Sequence, residues 1–346
     1  MFFLSASSVA VIDHHIKDNL NAARERLAIL KQSCPSVTID FARKCINPYE
    51  LIGHAQSTPR QRNFYGFLEL VGRVPALGHA LQGRTLHLCE APGNFIEAVL
   101  HLYPQADWHA SSLNHSVPFF DHLQQAKKSN GHSRVMFGLQ GSGDITKPDV
   151  LPFLERELGS DKATLVTCDG GVWLDDKDRN NQETLNSALF QSEIHVALAC
   201  MALHGCLVVK LFDTFESTTH ALVHALSVRF ARGYIIKLDS GRITSSERYL
   251  VFEDYNGQPW RAEELENYQM KNGTILHDST VALAQQQTTA IIQTVQLATY
   301  LHAINVSTAV DARNMFLETL ATCQTRLKAA QSFLARIDNL RIVQVL

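Results

Sequence analysis

Residues 81–256 alternate short apolar runs with amphipathic helical stretches, and this alternation constrains the fold more than any other feature of the sequence. The apolar runs have the length of strands, and the stretches between them repeat their apolar residues at helical spacing. Strands that alternate with helices pair in parallel, because each helix carries the chain back across the sheet. The sequence therefore predicts an α/β domain with a mostly parallel sheet and helices on both faces.

The predicted strands are 85–89, 108–113, 134–139, 163–168, 206–212, 234–238 and 248–253. We expect the last two to pair near an edge of the sheet. The main helices of this region are predicted over 95–103, 183–203 and 217–231.

Two further regions flank this domain. Residues 1–80 are predicted to form a mostly helical lead-in, and residues 257–346 are predicted to be helical throughout. In the last region, apolar residues from Val281 to Leu301 and from Phe316 to Leu334 predict two helices that form a hairpin. This hairpin either covers the sheet or docks a protein partner.

Composition excludes several classes of protein. With 45% hydrophobic residues, 19% charged residues and a net charge of -3, the chain is neither disordered nor a uniformly basic binder, although a local basic patch is compatible with it. The cysteines lack CxxC spacing and the histidines lack HExxH spacing, so we expect free thiols, a reducing compartment and no metal. No apolar run reaches the ~18 residues of a membrane span, and the first residues lack a basic signal-peptide region. We therefore expect an intracellular protein of the nucleus or cytoplasm, of cellular or viral origin.

Polar residues stand at the ends of predicted strands, where ligands bind in a parallel sheet. Glu90-Ala91-Pro92-Gly93 forms a strand-to-helix turn whose glycine lets a ligand approach the backbone. The turn lacks the glycines of a dinucleotide site and the lysine of a P-loop. It is either part of a ligand site or an ordinary turn.

A lysine inside an apolar strand is costly to bury unless it is paired or functional. Lys210 stands in the run CLVVKLF, Asp169 follows one predicted strand and Glu247 precedes another. The three residues form either a reactive cluster or a structural salt bridge. Asp144 either accepts hydrogen bonds from a ligand amine or caps a helix.

The sequence resembles the FtsJ-like ribose 2′-O-methyltransferases, especially the mRNA cap branch with its cap-1 and cap-2 (Adrift-type) enzymes. The resemblance covers roughly residues 40–255 and is carried by the ordered motifs ARKCINPYELI, FLELVGRVPAL, TLHLCEAPGNFIEAVL, WHASSLN, GDITK, LVTCDGG, VVKLFDTFE and ITSSERYLV. It implies a Rossmann-like methyltransferase fold with a seven-stranded sheet, helical additions at both ends, S-adenosylmethionine as cofactor and capped RNA as substrate.

The resemblance also implies a set of site residues. The residues expected at the cofactor are Glu90, Ala91, Pro92, Gly93, Asn94, Phe95, Ser112, Leu113, Asp144, Ile145 and Asp169. Asp169, Lys210 and Glu247 match three members of the Lys-Asp-Lys-Glu tetrad of the family, with Lys210 as the general base. Gly66 stands at the position of the first lysine, and Arg60 or Arg62 can supply a positive charge in its place.

The missing lysine bears on the chemistry, because Lys210 must be neutral to accept a proton. A second cation lowers the pKa of an amine, whereas two carboxylates raise it. The sequence therefore leaves open an active cap methyltransferase, a degenerate fold member that serves as a scaffold or as a cofactor or RNA binder, and a ribosomal RNA methyltransferase. The residues expected to contact RNA are Arg60, Arg62, Trp173, Lys177, Arg179, Arg242 and Arg248. Trp173 stacks on a base or belongs to the core.

Overall fold

The computed structural model describes residues 2–3, 14–47, 49–50, 60–114, 117–125, 134–138, 140–172, 174, 176–261, 263–266 and 275–303. These residues form two compact units. The first contains the described parts of 1–11, 70–236 and 248–279, and the second contains those of 12–69, 237–247 and 280–346. The units alternate along the chain, and the division into three consecutive regions stays a prediction.

Eleven helices lie in the described part of the chain. They are α1 (His14–Ser33), α2 (Ser36–Ile46), α3 (Arg62–Arg73), α4 (Pro75–Ala80), α5 (Asn94–Leu102), α6 (Asp121–Gln125), α7 (Val150–Leu158), α8 (Gln182–Cys200), α9 (Ser217–Ser227), α10 (Glu263–Glu266) and α11 (Ile275–Ala303). A 3₁₀ helix spans Asp176–Asn181.

The described residues also form an eight-stranded sheet. Its strands are β1 (Phe2–Phe3), β2 (Thr85–Leu88), β3 (Trp108–Ser111), β4 (Arg134–Met136), β5 (Ala163–Cys168), β6 (Met201–Phe212), β7 (Phe230–Ile236) and β8 (Glu247–Tyr255). Their order in the sheet is β1-β7-β8-β6-β5-β2-β3-β4. Strands β2 to β6 pair in parallel, whereas β7 pairs antiparallel with β1 and with β8.

The predicted α/β fold is confirmed. The seven predicted strands are present as β2 to β8, the last two form the expected pair, and β1 adds a two-residue strand at the edge. The largest differences lie around β6 and after α9. Strand β6 begins at Met201 because the backbone there is already extended, and the left-handed His204 lies where the pairing with β5 shifts register. The helix predicted to reach residue 231 ends at Ser227, because β7 already begins at Phe230.

The second unit has a small apolar core of its own. Cys34, Ile39, Ala42, Ala298 and Leu301 form a buried cluster that joins α2 and the end of α1 to α11. Helix α11 confirms the first helix predicted in the C-terminal region, and the second one lies outside the described residues. The docking of a protein partner by the predicted C-terminal hairpin stays a prediction. No helix among the described residues is long and apolar enough to cross a membrane.

The sheet contains a switch point between β2 and β5. The chain proceeds from β2 outward to β3 and β4, then returns to the other side of β2 with β5 and β6. Leu88 pairs with Ser111 on one side and with Cys168 on the other, so three strands end side by side. A crevice forms where the direction of the connections reverses, and the segments after these strands border it.

Arg248 on β8 is a core residue, in contrast to the phosphate contact that the sequence suggested. Its side chain is 1% exposed, and its guanidinium donates to Oγ1 of Thr214 at 3.1 Å and to Oδ1 of Asp213 at 3.2 Å. A buried carboxylate and a buried guanidinium each need such a partner. The pair therefore fixes the segment after β6 against β8.

Arg248→Ala tests this structural role. We expect it to lower the free energy of unfolding by about 3–5 kcal/mol, because Asp213 then stays buried without that guanidinium. Urea denaturation measures the change. The control is Arg156→Ala, whose exposed side chain lies 3.6 Å from Glu157, and this change is expected to cost less than about 1 kcal/mol. Equal losses in the two variants would contradict the core assignment.

Candidate active site

Lys210 and Asp169 meet at the carboxyl ends of β6 and β5. Nζ of Lys210 lies 3.2 Å from Oδ1 of Asp169 and also donates to the backbone carbonyl of Asp169. Lys210 is only 9% exposed, and an ammonium at that depth needs a carboxylate partner. The structure thus brings together two of the three residues in the predicted cluster, while their catalytic role stays a prediction.

Aromatic side chains enclose this pair. The hydroxyl of Tyr249 donates to Oδ1 of Asp169 at 3.2 Å, and the Tyr249 ring lies 6.1 Å from the Phe95 ring. Nζ of Lys210 lies 5.7 Å from the centre of the Phe212 ring. The sequence reasoning missed Tyr249. The alternation of side chains along β8 was the available signal, because it places Tyr249 and Glu247 on the same face.

Glu90 follows β2 and is a buried acid with one open oxygen. Its Oε1 accepts a hydrogen bond from the backbone N–H of Phe95 at 2.6 Å, whereas Oε2 has no hydrogen-bond partner in the described part of the chain. Burial, and then the charge of Asp169, raise the pKa of Glu90 well above its usual value. A ligand with hydroxyl or amine donors would satisfy the open oxygen.

The turn between Glu90 and α5 requires a glycine. Gly93 has φ of 108°, and an added Cβ would lie 2.3 Å from Cδ1 of Leu123. Ala91 and Pro92 are joined by a cis peptide bond, and Asn94 begins α5. The space that a Cβ would occupy is filled by Leu123 and Phe119, so Gly93 serves the backbone conformation and the packing of the turn, and the approach of a ligand stays a prediction.

The segments after β3 and β4 also pack closely. An added Cβ on Gly143 would lie 1.8 Å from the carbonyl oxygen of Ser112, so the two backbones are in direct contact. Oδ1 of Asp144 accepts from the N–H of Thr146 at 3.1 Å and from its hydroxyl at 2.7 Å. Asp144 therefore stabilises a local turn. Ile145, the next residue, and Ser112 after β3 are buried, whereas Leu113 is exposed.

Arg60, Arg62 and Arg242 belong to the second unit. The guanidinium of Arg60 lies 5.3 Å from the ring of Phe64. Burial, then the charges of Arg62 and Arg43, lower the pKa of Arg242, so Arg62 and Arg242 contribute to one positive region. Their contacts with RNA stay predictions.

The structure locates some of the remaining predicted site residues without describing their side chains. Lys177 and Arg179 lie on the 3₁₀ helix, and Trp173 lies outside the described residues. Glu247 begins β8. Gly66 lies on α3, where an added Cβ would be 2.9 Å from Cδ1 of Leu238.

Comparison with known proteins identifies this arrangement. The model of the FtsJ-like methyltransferase family matches residues 59–255, more than half of the chain. The chain is 30% identical over 175 residues to cap-specific mRNA (nucleoside-2′-O-)-methyltransferase 1 of Leishmania braziliensis, covering 50% of this chain and 44% of that protein. It is 30% identical over 167 residues to cap-specific mRNA (nucleoside-2′-O-)-methyltransferase of Autographa californica nuclear polyhedrosis virus, covering 48% of this chain and 62% of that protein. It is 26% identical over 278 residues to cap-specific mRNA (nucleoside-2′-O-)-methyltransferase 2 of Danio rerio, covering 74% of this chain and 36% of that protein. The chain thus spans between 36% and 62% of the length of these relatives.

Gly93→Ala tests the turn at the candidate site. The substitution places a Cβ on a left-handed residue and against Leu123, so we expect a loss of about 2–4 kcal/mol in the free energy of unfolding. Gly141→Ala is the matched control, since φ is 70° there and, apart from the chain neighbours, no described residue has an atom within 4 Å of the added carbon. It isolates the backbone strain and should cost about 1–2 kcal/mol. Urea denaturation measures both, and equal losses would contradict the tight packing of the turn.

Proposed function

Because this chain belongs to the FtsJ-like methyltransferase family, we propose that it transfers a methyl group from S-adenosylmethionine to a ribose 2′-hydroxyl at the capped 5′ end of mRNA. The names of its relatives support the cap as the substrate. The observation that carries the proposal is the Lys210 ammonium bound to Asp169 at the switch-point edge of the sheet. A buried lysine at that edge is placed for chemistry on a ligand.

S-adenosylmethionine is the cofactor that family membership implies, and the residues near the switch point fit it. When bound, it supplies a methyl group activated by a positively charged sulfur. The open Oε2 of Glu90 is available to its hydroxyl or amine donors. The other residues proposed to hold it are Ala91, Pro92, Asn94, Phe95, Ser112, Leu113, Asp144 and Ile145.

Lys210 is proposed to receive the proton of the 2′-hydroxyl. Its amine must be neutral at that moment, and a general base of this kind typically accelerates a reaction 10²–10⁴-fold, as an order-of-magnitude estimate. Asp169 orients the amine through its carboxylate and its carbonyl, while Tyr249 orients the Asp169 carboxylate. We propose that Glu247 completes the group, supported by its motif and by its place on the same face of β8 as Tyr249.

RNA binding is proposed to use positively charged side chains. Arg62 and Arg242 lie in one positive region of the second unit, and Arg60 is exposed. Lys177 and Arg179 on the 3₁₀ helix are the proposed contacts of the first unit. Because phosphate contacts release counterions, the affinity should fall as salt rises. Stacking by Trp173 is part of the same proposal.

A second candidate function is a catalytically degenerate member of the family that binds cofactor or RNA, or serves in assembly. The observation that favours it is at Gly66, where the family lysine is missing and Leu238 lies against the position of a Cβ. An ammonium from this point of α3 would need Leu238 to move. Uncapped ribosomal RNA is a further alternative substrate for an active enzyme, and docking of a protein partner by the C-terminal helices is proposed on the sequence pattern alone.

Lys210→Ala tests the proposed base. With labelled S-adenosylmethionine and capped RNA, we expect the variant to lose at least about 100-fold in methyl transfer while it still binds the cofactor in calorimetry. Lys162→Ala is the matched control, because that lysine is exposed and donates to the carbonyl of Ala199. Transfer at the wild-type rate by Lys210→Ala would exclude Lys210 as the base.

The choice of RNA separates the alternatives in the same assay. Equal transfer to capped and uncapped RNA would favour the ribosomal substrate. A wild-type chain that binds the cofactor and transfers no methyl group would favour the degenerate member.

Gly66→Lys combined with Leu238→Ala tests the position of the missing lysine. Gly66→Lys alone should lower the free energy of unfolding by about 1–3 kcal/mol through overpacking, and Leu238→Ala should relieve that strain. A restored ammonium lowers the pKa of a neighbouring amine, so the acidic limb of the pH–rate profile should move to lower pH. Leu238→Ala alone is the control. An identical profile in both variants would contradict the assignment of Gly66 to the position of the lysine.

A further inference from the structure

Glu193 is a fully buried carboxyl group beside the turn that follows β5. It lies on α8 with 0% exposure, and its Oε1 accepts a hydrogen bond from the backbone N–H of Gly170 at 2.9 Å. Its Oε2 has no nitrogen or oxygen partner among the residues that the structure describes, and the Cys89 thiol is the weaker second partner of the carboxyl group. Burying an acid with so few strong partners costs stability, so packing alone gives no reason for this residue.

Helix α8 holds this turn at a second point. Asn186, about two helical turns before Glu193, is buried, and its Oδ1 accepts from the N–H of Val172 at 2.7 Å. An added Cβ on Gly170 would lie between 2.6 and 2.8 Å from three atoms of the Glu193 carboxyl group. The helix therefore presses directly on the backbone of the turn and fixes it by two hydrogen bonds.

The same turn binds the Lys210 amine. Asp169 directly precedes Gly170, and both its carbonyl and its Oδ1 contact Nζ of Lys210. The next residue, Gly171, lies against the stem, since an added Cβ there would be 3.7 Å from Cε of Lys210. A displacement of the turn would thus move every contact that Asp169 makes with the amine.

We propose that Glu193 is a positioning residue, which holds the Asp169–Gly171 turn through Gly170 and thereby sets the place and the charge of the Lys210 amine. Its catalytic consequence rests on the proposed function. The control of Lys210 by Glu193 stands independently of methyl transfer.

Charged and titratable groups face Glu193 from three segments. They are Lys210 on β6, Cys168 and Asp169 at the end of β5, and Cys89 after β2. Burial raises the pKa of Glu193 to about 8, against the opposing effects of the Lys210 charge and the Gly170 N–H. Below that pH the carboxyl is protonated and neutral. Above it, the negative charge favours the protonated form of Lys210, so ionised Glu193 opposes the loss of the Lys210 proton.

Two variants separate position from charge. Glu193→Gln keeps an oxygen that can accept from Gly170 and removes the charge, whereas Glu193→Ala removes both. Ser192→Ala is the matched control on the same helix, since Ser192 is half-buried and its hydroxyl donates to the carbonyl of Ala188 within the helix. The readouts are a ¹³Cε NMR titration of Lys210, assigned with Lys210→Arg, together with kcat, KM and thermal unfolding of the full chain.

We expect Glu193→Gln to move the titration midpoint of Lys210 to lower pH with kcat near that of the wild type at neutral pH. Glu193→Ala should lower kcat by about 100-fold with little change in KM, because a misplaced catalytic group loses alignment rather than binding. Ser192→Ala should change neither. A folded Glu193→Gln variant with the wild-type Lys210 titration would overturn the proposal, even if Glu193→Ala does not fold.

The NMR titration also keeps the two proposals apart. A shifted Lys210 midpoint in a chain that transfers no methyl group would support positioning by Glu193 and contradict the proposed function. An active wild-type chain whose Lys210 titration midpoint does not change with either substitution would support the proposed function and contradict positioning by Glu193.

Discussion

The pairing of the Lys210 ammonium with Asp169 depends on the register between two neighbouring strands. Cys168 at the end of β5 pairs with Val209 on β6, so Asp169 emerges beside Lys210. A slip of one residue would turn the lysine to the other face of the sheet and leave the carboxylate without it. The apolar residues of β5 and those of residues 206–212 in β6 are buried, and they hold this register because a slip would expose them. The contact between Lys210 and Asp169 is thus a consequence of core packing.

Buried acids gather at the same edge of the sheet. Glu90 and Glu193 come from different segments, and burial raises the pKa of each above its usual value. Isolated carboxyl groups are disfavoured in a core, and a concentration of them at the switch point indicates a functional site rather than packing. The topology explains the location, because the ends of β2 and β5 converge there and α8 packs against the same turn.

Much of this arrangement was predictable from local sequence. The sequence predicted that Lys210 and Asp169 lie close together. The apolar runs mark the strands that carry the two residues, and the ends of parallel strands meet at one edge of the sheet. Glu193 and Tyr249 were not found, although Tyr249 lies within the motif ITSSERYLV, because their importance arises from contacts across the fold. Arg248 was expected to contact RNA for the same reason: its partner Asp213 is distant in sequence, and a charged residue in a strand does not reveal which side is buried.

The acids near Lys210 bear on the proposed assignment of Gly66 to the position of a family lysine. A carboxylate beside an amine stabilises the protonated form, and a second cation counteracts this effect. Under the proposed assignment, that counteracting charge is not encoded at this point of α3. A carboxyl group that stays protonated adds no negative charge, so the raised pKa of Glu90 and of Glu193 limits the number of anions around the amine. Burial of acids in their neutral form and addition of a cation are therefore two physical ways to favour the neutral form of an amine. The raised pKa of Glu90 and of Glu193 corresponds to the first of them.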